Sequence, residues 1–172
     1  MCIRDRSGLS TAIRLLESGH EVEIVSDKFS PETVSDVAAA IWYPFLVKPA
    51  DRADTWGIVT YDVLEGLCTE APEAGVTMRD GREYLRDVVD LPPWNDDIAA
   101  FRILEEGEIP EGYVFGWEFR APVIEMPLYM PWLRSKVEGG GGTQAWFHRG
   151  PVRTEWGRCG QLCRPRGERA LR

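Results

Sequence analysis

No apolar run in the sequence approaches the roughly 20 residues needed to cross a bilayer, so no membrane-spanning helix is predicted. The first residues, Met1 to Ser7, are charged and lack an apolar centre, which excludes a signal peptide there. Internal repeats are absent. Basic residues are in the minority: 20 Lys and Arg stand against 28 Asp and Glu, a net charge of −8 over 172 residues. That balance argues against a broad nucleic-acid or anionic-membrane surface. Four cysteines leave a disulfide or metal framework open on count alone. Cys159-x-x-x-Cys163 with His148 lacks a second matched ligand pair, so no zinc site, and no other metal, is predicted.

The charge is unevenly spread. Thr143 to Arg172 holds seven arginines and two glutamates, a net of +5, leaving −13 on Met1 to Gly142. The change follows the run Gly139-Gly140-Gly141-Gly142. The basic segment also carries Trp146, Phe147 and Trp156 without helical or strand periodicity, so it reads as neither a clean arm nor a clean domain.

Along the chain, Ser10–Ser18 has the apolar spacing of a helix, opened by Gly8 and closed by Gly19-His20. Glu21–Ser26 alternates and is β-branched, a strand with Asp27 at its end. Val37–Ile41, small and apolar, predicts the start of a buried helix. Asp54–Glu70 has a helical pattern, and Val76–Leu85 predicts a hairpin turning at Asp80-Gly81. Pro92-Pro93-Trp94 marks a loop, Tyr113–Ile124 a strand and Leu128–Glu138 a helix. Glu105, Glu106 and Glu108 read as solvated surface, and His20 as a helix-terminal group. The helix, strand and strand-end acid in this order predict α/β architecture.

Gly8 and Asp27 are nineteen residues apart, close to the glycine-to-acid spacing of a dinucleotide-binding unit. In such a unit a glycine turn lets backbone approach a pyrophosphate at a helix N-terminus, and the acid accepts ribose hydroxyls. Here the first strand and the first two glycines are missing, and the spacing alone is equally met by a capping glycine and a turn acid.

Three strings add more. Gly8-Leu9-Ser10-Thr11-Ala12, Val25-Ser26-Asp27-Lys28-Phe29-Ser30-Pro31 and Ser35-Asp36-Val37-Ala38-Ala39-Ala40-Ile41-Trp42-Tyr43-Pro44 resemble the D-amino-acid oxidase family, which includes D-aspartate oxidase. Gly116-Trp117, Pro122 and Tyr129-x-x-Trp132-Leu133 also fit its middle region, so the resemblance spans about residues 8–142. It implies an incomplete Rossmann-like FAD-binding domain with part of an α+β substrate lobe. The expected segments are 8–75 for the partial FAD-binding domain and 76–142 for the start of the substrate lobe and the return to the FAD-binding domain.

The resemblance implies FAD as cofactor. Gly8, Leu9 and Ser10 would pack near its pyrophosphate, Asp27 would hold the adenosine ribose, and Lys28 would lie near that half. Thr33, Val34 and Ser35 would line the diphosphate and ribityl path, and Ala39, Ala40 and Ile41 would offer backbone to the flavin. Val34 and Ala40 depart from the polar residue and glycine expected there. Tyr43 would approach the substrate pocket or serve in packing. The implied reaction is oxidative deamination of a D-amino acid by dioxygen; a glycine or sarcosine oxidase type, or a non-catalytic nucleotide-binding fragment, are the alternatives. Catalytic residues are not assigned, since the carboxylate-clamping arginine and its tyrosines are expected beyond residue 172. The chain alone is therefore expected to lack oxidase activity. A small D-amino acid, dioxygen, a homodimer of the whole protein and a cytoplasmic location complete the expectation.

Two segments read as non-native. Met1 to about Arg6 matches the translation of a string resembling the end of a sequencing transposon, so residues 1–7 are expected to be a leader. Shifted by one base, one permitted coding of Trp156–Gly167 gives a strand-then-glycine pattern of the flavin-binding kind, so 143–172 is expected to be frameshifted or disordered. On that reading Cys68 is the one native thiol, consistent with a reducing compartment.

Overall fold

A computed structural model describes residues 5–26, 28–44, 48–98, 100–139, 145–149 and 163–164. The chain forms two compact units, one from 1–38 with 126–172 and the other from 39–125. Both mix helix and strand, and the chain is α/β.

In the first unit, helix α1 (Asp5–Glu17) precedes strand β1 (Glu21–Ser26), which has the bounds its alternation predicts. α1 buries Leu9, Ala12 and Leu16, spaced for one helical face. Gly19, at φ +82°, reverses the chain, and the His20 N–H donates back to the Leu15 carbonyl at 3.0 Å. Helix α3 (Met126–Glu138) packs on α1 and buries Met126, Tyr129, Met130, Leu133 and Val137. β1 runs parallel to β5 (Ala145–Arg149), pairing Val22 with Ala145 through Ser26 with Arg149. On its other side β1 pairs antiparallel with β6 (Cys163–Arg164). The segment 143–172 thus contributes two strands, against the expectation of no strand pattern. Ala-Trp-Phe-His-Arg is rich in β-formers, and its partner β1 supplies the order that local sequence does not show.

In the second unit, β4 (Phe115–Ile124) is the central strand of an antiparallel sheet. β2 (Val76–Leu85) pairs along its whole length, from Val76 with Ile124 to Leu85 with Phe115. The predicted hairpin at Asp80-Gly81 is therefore overturned: both residues lie mid-strand, opposite Arg120 and Phe119. The other edge of β4 is met at one end by β3 (Arg102–Ile103) and at the other by a bridge from Ile41 to Val123.

Helix α2 (Ala50–Glu70) packs on this sheet through buried Ala53, Tyr61 and Leu64. The core around Trp94 is aromatic: its ring meets Trp42 at 5.4 Å and Phe119 at 5.5 Å, both edge-on, the geometry the ring quadrupole favours. Pro93–Asp96 is a short 3-10 turn carrying Trp94 inward, where a loop was predicted. No described helix is long and apolar enough to cross a membrane.

Candidate functional site

In the first unit the residues of interest follow β1. The buried Ser26 hydroxyl donates to the Lys28 carbonyl at 2.6 Å. Asp27, the predicted ribose acid, lies outside the described residues. Lys28 is exposed.

The turn that follows is built around Asp36. Its carboxylate accepts the Ser30 hydroxyl at 2.5 Å, the Thr33 hydroxyl at 2.5 Å and the Thr33 N–H at 2.9 Å. Burial disfavours the charged form, but the hydrogen bonds from Ser30 and Thr33 outweigh it and hold Asp36 below the ordinary carboxylate range. Thr33, predicted to offer its hydroxyl to a cofactor, thus spends it on the turn, and Asp36, not assigned a role from sequence, organises the segment. Ser35 is half-buried. Val34 and Val37 project outward at 80% and 85% exposure, unusual for two β-branched apolar residues on one 3-10 turn (Val34–Val37). That exposure also overturns the buried helix predicted to begin at Val37. α3 packs beside this turn, and the Arg134 guanidinium lies 5.9 Å from the Phe29 ring centroid.

Gly8, Leu9 and Ser10 do not open α1 as predicted. The helix begins at Asp5, placing Gly8 fourth within it, because Asp5, Arg6 and Ser7 continue the helix. Leu9 is buried in the α1 face, which leaves only its backbone for a cofactor; Gly8 and Ser10 are half-buried. The stretch before α1 lies outside the described residues.

In the second unit, residues 39–40 have no regular secondary structure and the chain then bridges β4 at Ile41. Ile124 N–H donates to the Ala40 carbonyl at 2.8 Å, and Trp42 N–H to the Pro122 carbonyl at 2.9 Å. These bonds flank Ile41, making it a non-hydrogen-bonded partner of Val123 whose own N–H and C=O point away from β4. Its side chain is 56% exposed, Ala39 is exposed and Ala40 is buried. An outward backbone donor and acceptor beside an exposed apolar side chain suits a planar, hydrogen-bonding ring such as a flavin. Within this unit the residues fit the expected group.

Tyr43 turns its ring inward, 5.7 Å from Trp94 and 5.8 Å from Phe119, and its hydroxyl donates to Glu83 at 2.5 Å. Burial, then the hydrogen bond and charge of Glu83, raise the phenol far above its ordinary range. Glu83 carries no sequence signal tying it to Tyr43, being forty residues away. The Trp42 indole N–H donates to the Gly57 carbonyl at 2.7 Å, fixing the segment against α2. The approach there is close: a Cβ on Gly57 would stand 3.2 Å from the Pro44 ring, so the ring would have to give by a few tenths of an ångström.

Glu108, predicted as solvated surface, is instead paired. It meets Arg102 at 2.7 Å and Arg82 at 3.3 Å, and both arginines also meet Glu118 on β4. Among the described residues no three His, Cys, Asp or Glu side chains are grouped to hold a metal. Cys68 is free and half-buried, and burial raises its thiol above the ordinary range.

The fold thus defines an α/β protein with a parallel strand pair in one unit and an antiparallel sheet in the other. No protein-family model matches it. The chain is 41% identical over 138 residues to a D-amino-acid oxidase of Rubrobacter xylanophilus, covering 80% of this chain and 42% of that protein. It is 35% identical over 145 residues to a D-aspartate oxidase of Homo sapiens, covering 78% and 42%. A D-amino-acid oxidase of Dictyostelium discoideum is 33% identical over 139 residues, covering 78% and 40%. The chain belongs to the D-amino-acid oxidase family and spans about two fifths of the length of these relatives.

Proposed function

We propose that this chain is part of an FAD-dependent oxidase that converts D-amino acids to 2-oxo acids, with release of ammonia and hydrogen peroxide. The observation that carries the reading is Ile41: its peptide groups face away from β4 in the segment Ala39–Ile41, whose Asp-Val-Ala-Ala-Ala-Ile-Trp-Tyr-Pro string resembles the family. The FAD-binding part of the reading is Rossmann-like, supported by β1, its parallel partner β5 and the packing of α1 on β1.

When bound, FAD supplies the redox chemistry, taking a hydride from the substrate α-carbon and passing two electrons to dioxygen. The chain's own residues hold and orient it. In the first unit Asp27 and Lys28 are assigned to the adenosine half. Thr33, Val34 and Ser35 are assigned to the diphosphate and ribityl path through backbone groups, with Asp36 fixing their turn. Gly8, Leu9 and Ser10 are assigned backbone approach to the pyrophosphate. In the second unit Ala39, Ala40 and Ile41 are assigned to the flavin. Tyr43 is assigned to packing that supports this segment, because its hydroxyl is already held by Glu83. A cytoplasmic site of action accords with the free Cys68 thiol.

The test is a titration of the chain with FAD and with FMN, followed by flavin fluorescence. Quenching by FAD with weaker response to FMN is expected, since FMN lacks the adenosine half. No response to either sinks the cofactor assignment. For the complete enzyme, peroxide release with D-alanine or D-aspartate is expected; peroxide with glycine or sarcosine alone would shift the reading to those amine oxidases. Flavin binding without peroxide from any amine would leave a nucleotide-binding protein.

A further inference from the structure

β2 and the turn that leads into β4 bring two tyrosines together. The Tyr84 and Tyr113 rings stand 5.8 Å apart between centroids, tilted by 47°. The backbone sets this approach. Val114 N–H donates to the Leu85 carbonyl at 2.9 Å, so Tyr84 and Tyr113 flank one interstrand bond. Gly112, at φ +91°, and a bond from the Tyr113 N–H to the Pro110 carbonyl at 3.2 Å turn the chain just before Tyr113. Tyr84 has Gly116 as its register partner, and a Cβ there would stand 3.4 Å from the Tyr84 ring. The bare glycine leaves the space in which that ring lies. Neighbouring residues of a strand face opposite sides, so Tyr84 lies across the sheet from Glu83 and its Tyr43 contact.

The pair also differs from the other three tyrosines of the chain. The Tyr43 hydroxyl is held by Glu83, the Tyr61 hydroxyl by the Arg120 carbonyl, and Tyr129 is buried. Tyr113 is 39% exposed and Tyr84 half-buried, so an oxidant in solution reaches this pair first. A phenol that loses one electron and its proton becomes a radical with spin on the carbons ortho to oxygen. Two such radicals bond ortho carbon to ortho carbon, and the two hydrogens at the new bond shift to the oxygens to restore both rings. In balance, two phenols and one hydrogen peroxide give one dityrosine and two waters, with a haem peroxidase carrying the electrons. Exposed side chains change rotamer within nanoseconds, so rotation of Tyr113 closes the gap between the rings.

We infer that Tyr84 and Tyr113 form an oxidative modification site, joined into an intrachain dityrosine when a haem peroxidase oxidises them with hydrogen peroxide. The new bond ties the end of β2 to the start of β4 and closes the stretch that carries Trp94, Phe101 and Glu108. Hydrogen peroxide is also a product of the reaction proposed above. The inference does not rest on that reading, because it uses no residue assigned to the cofactor and the oxidant is supplied from outside.

Treating the 172-residue chain with a haem peroxidase and hydrogen peroxide tests it. At about 10 μM chain, a tethered partner at millimolar effective concentration outruns a second chain by about a hundredfold. The expected product shows dityrosine fluorescence at single-chain mass, lighter by two hydrogens, with Tyr84 and Tyr113 joined in one fragment of a protease digest. Tyr84→Phe and Tyr113→Phe each keep the ring and its packing but remove the phenol. Each should cut the single-chain signal by about tenfold or more, since the positioned partner is then gone. A wild type without dityrosine overturns the inference, and so does one linked only between chains. A single-chain signal that survives Tyr84→Phe or Tyr113→Phe, or that maps to other tyrosines in the digest, also overturns it.

Discussion

The Tyr43 hydroxyl donates a 2.5 Å hydrogen bond to Oε2 of Glu83, joining the segment that follows the Ala39–Ile41 edge to the C-terminal part of β2. The bond reaches a half-buried carboxylate, where a hydrogen bond to charge is worth more than one between neutral groups. Tyr43→Phe keeps the ring against Trp94 and Phe119 and removes only the donor. Its expected cost is about 2 kcal/mol, read from the urea midpoint at unchanged slope. Tyr43→Ala also removes the ring and should cost about 3 kcal/mol or more. A Tyr43→Phe variant as stable as the wild type would show that the hydroxyl contributes nothing, and equal costs for the two variants that the ring contributes nothing.

Tyr43, Tyr61 and Tyr129 all have phenols raised above the ordinary value, in each case first by burial. Around Tyr61 the charge of Glu65 adds to the effect, and its hydroxyl also donates to the Arg120 carbonyl at 3.1 Å. A raised folded-state value means the folded chain keeps these protons after the unfolded chain has lost them. The stability they contribute is therefore complete below pH 10 and is lost as pH rises beyond it. Absorbance titration of phenolate should show these three ionising late, above pH 10. Simultaneous ionisation of every tyrosine near pH 10 without unfolding would contradict the burial described.

Much of this arrangement is legible locally, and the misreadings share one cause. α1, α2 and α3 announce themselves through apolar spacing, and β1 through alternation, because each buries one face. Asp80-Gly81 is turn chemistry by composition, yet ten consecutive pairings with β4 hold it mid-strand. Val37–Ile41 has no periodicity of its own, and Asp36 on one side with Pro122 and Ile124 on the other decides its path. The Tyr43–Glu83 contact and the partners of Glu108 are non-local, so no spacing rule finds them. The Asp36–Pro44 string could be singled out only as a family resemblance, and its physical content emerges with the turn and the edge it builds.

Arg82 and Arg102 flank Glu118 across β4, since both are its direct register partners from opposite sides. Glu108 then bridges the two arginines, and its Oε2 also accepts the Glu105 N–H at 3.0 Å. The hydrogen bond from Arg102, helped by the Glu105 N–H, draws Glu108 down to about 2, and that from Arg82 lowers Glu118 as well. A depressed folded-state value contributes stability above the unfolded value of 4.5, lost as pH falls towards 2. The loss should be shallower in Glu108→Gln and in high salt, which screens exposed pairs. Acid titration of the melting temperature checks this, and an identical acid limb in wild type and Glu108→Gln would refute the linkage.

Gly116 and Gly81 lie on neighbouring strands but stand in different space. A Cβ on Gly116 would be 2.5 Å from the Glu83 carbonyl oxygen, 3.1 Å from Leu104 and 3.4 Å from Tyr84. The first obstacle is backbone of the paired strand, which cannot rotate away, so the sheet itself must shift. A Cβ on Gly81 would meet only the Phe119 ring at 3.9 Å and its carbonyl at 4.0 Å, ordinary contact. Gly116→Ala is therefore expected to cost about 3 kcal/mol through overpacking. Gly81→Ala should be neutral or slightly stabilising, because alanine narrows the unfolded ensemble at no native cost. Moving Gly116 also moves the Glu83 carbonyl beside it, so Gly116→Ala should disturb the Tyr43 contact where Gly81→Ala does not. Tyrosine titration of both variants would show this, with the Tyr43 phenol falling back towards the ordinary range in Gly116→Ala alone.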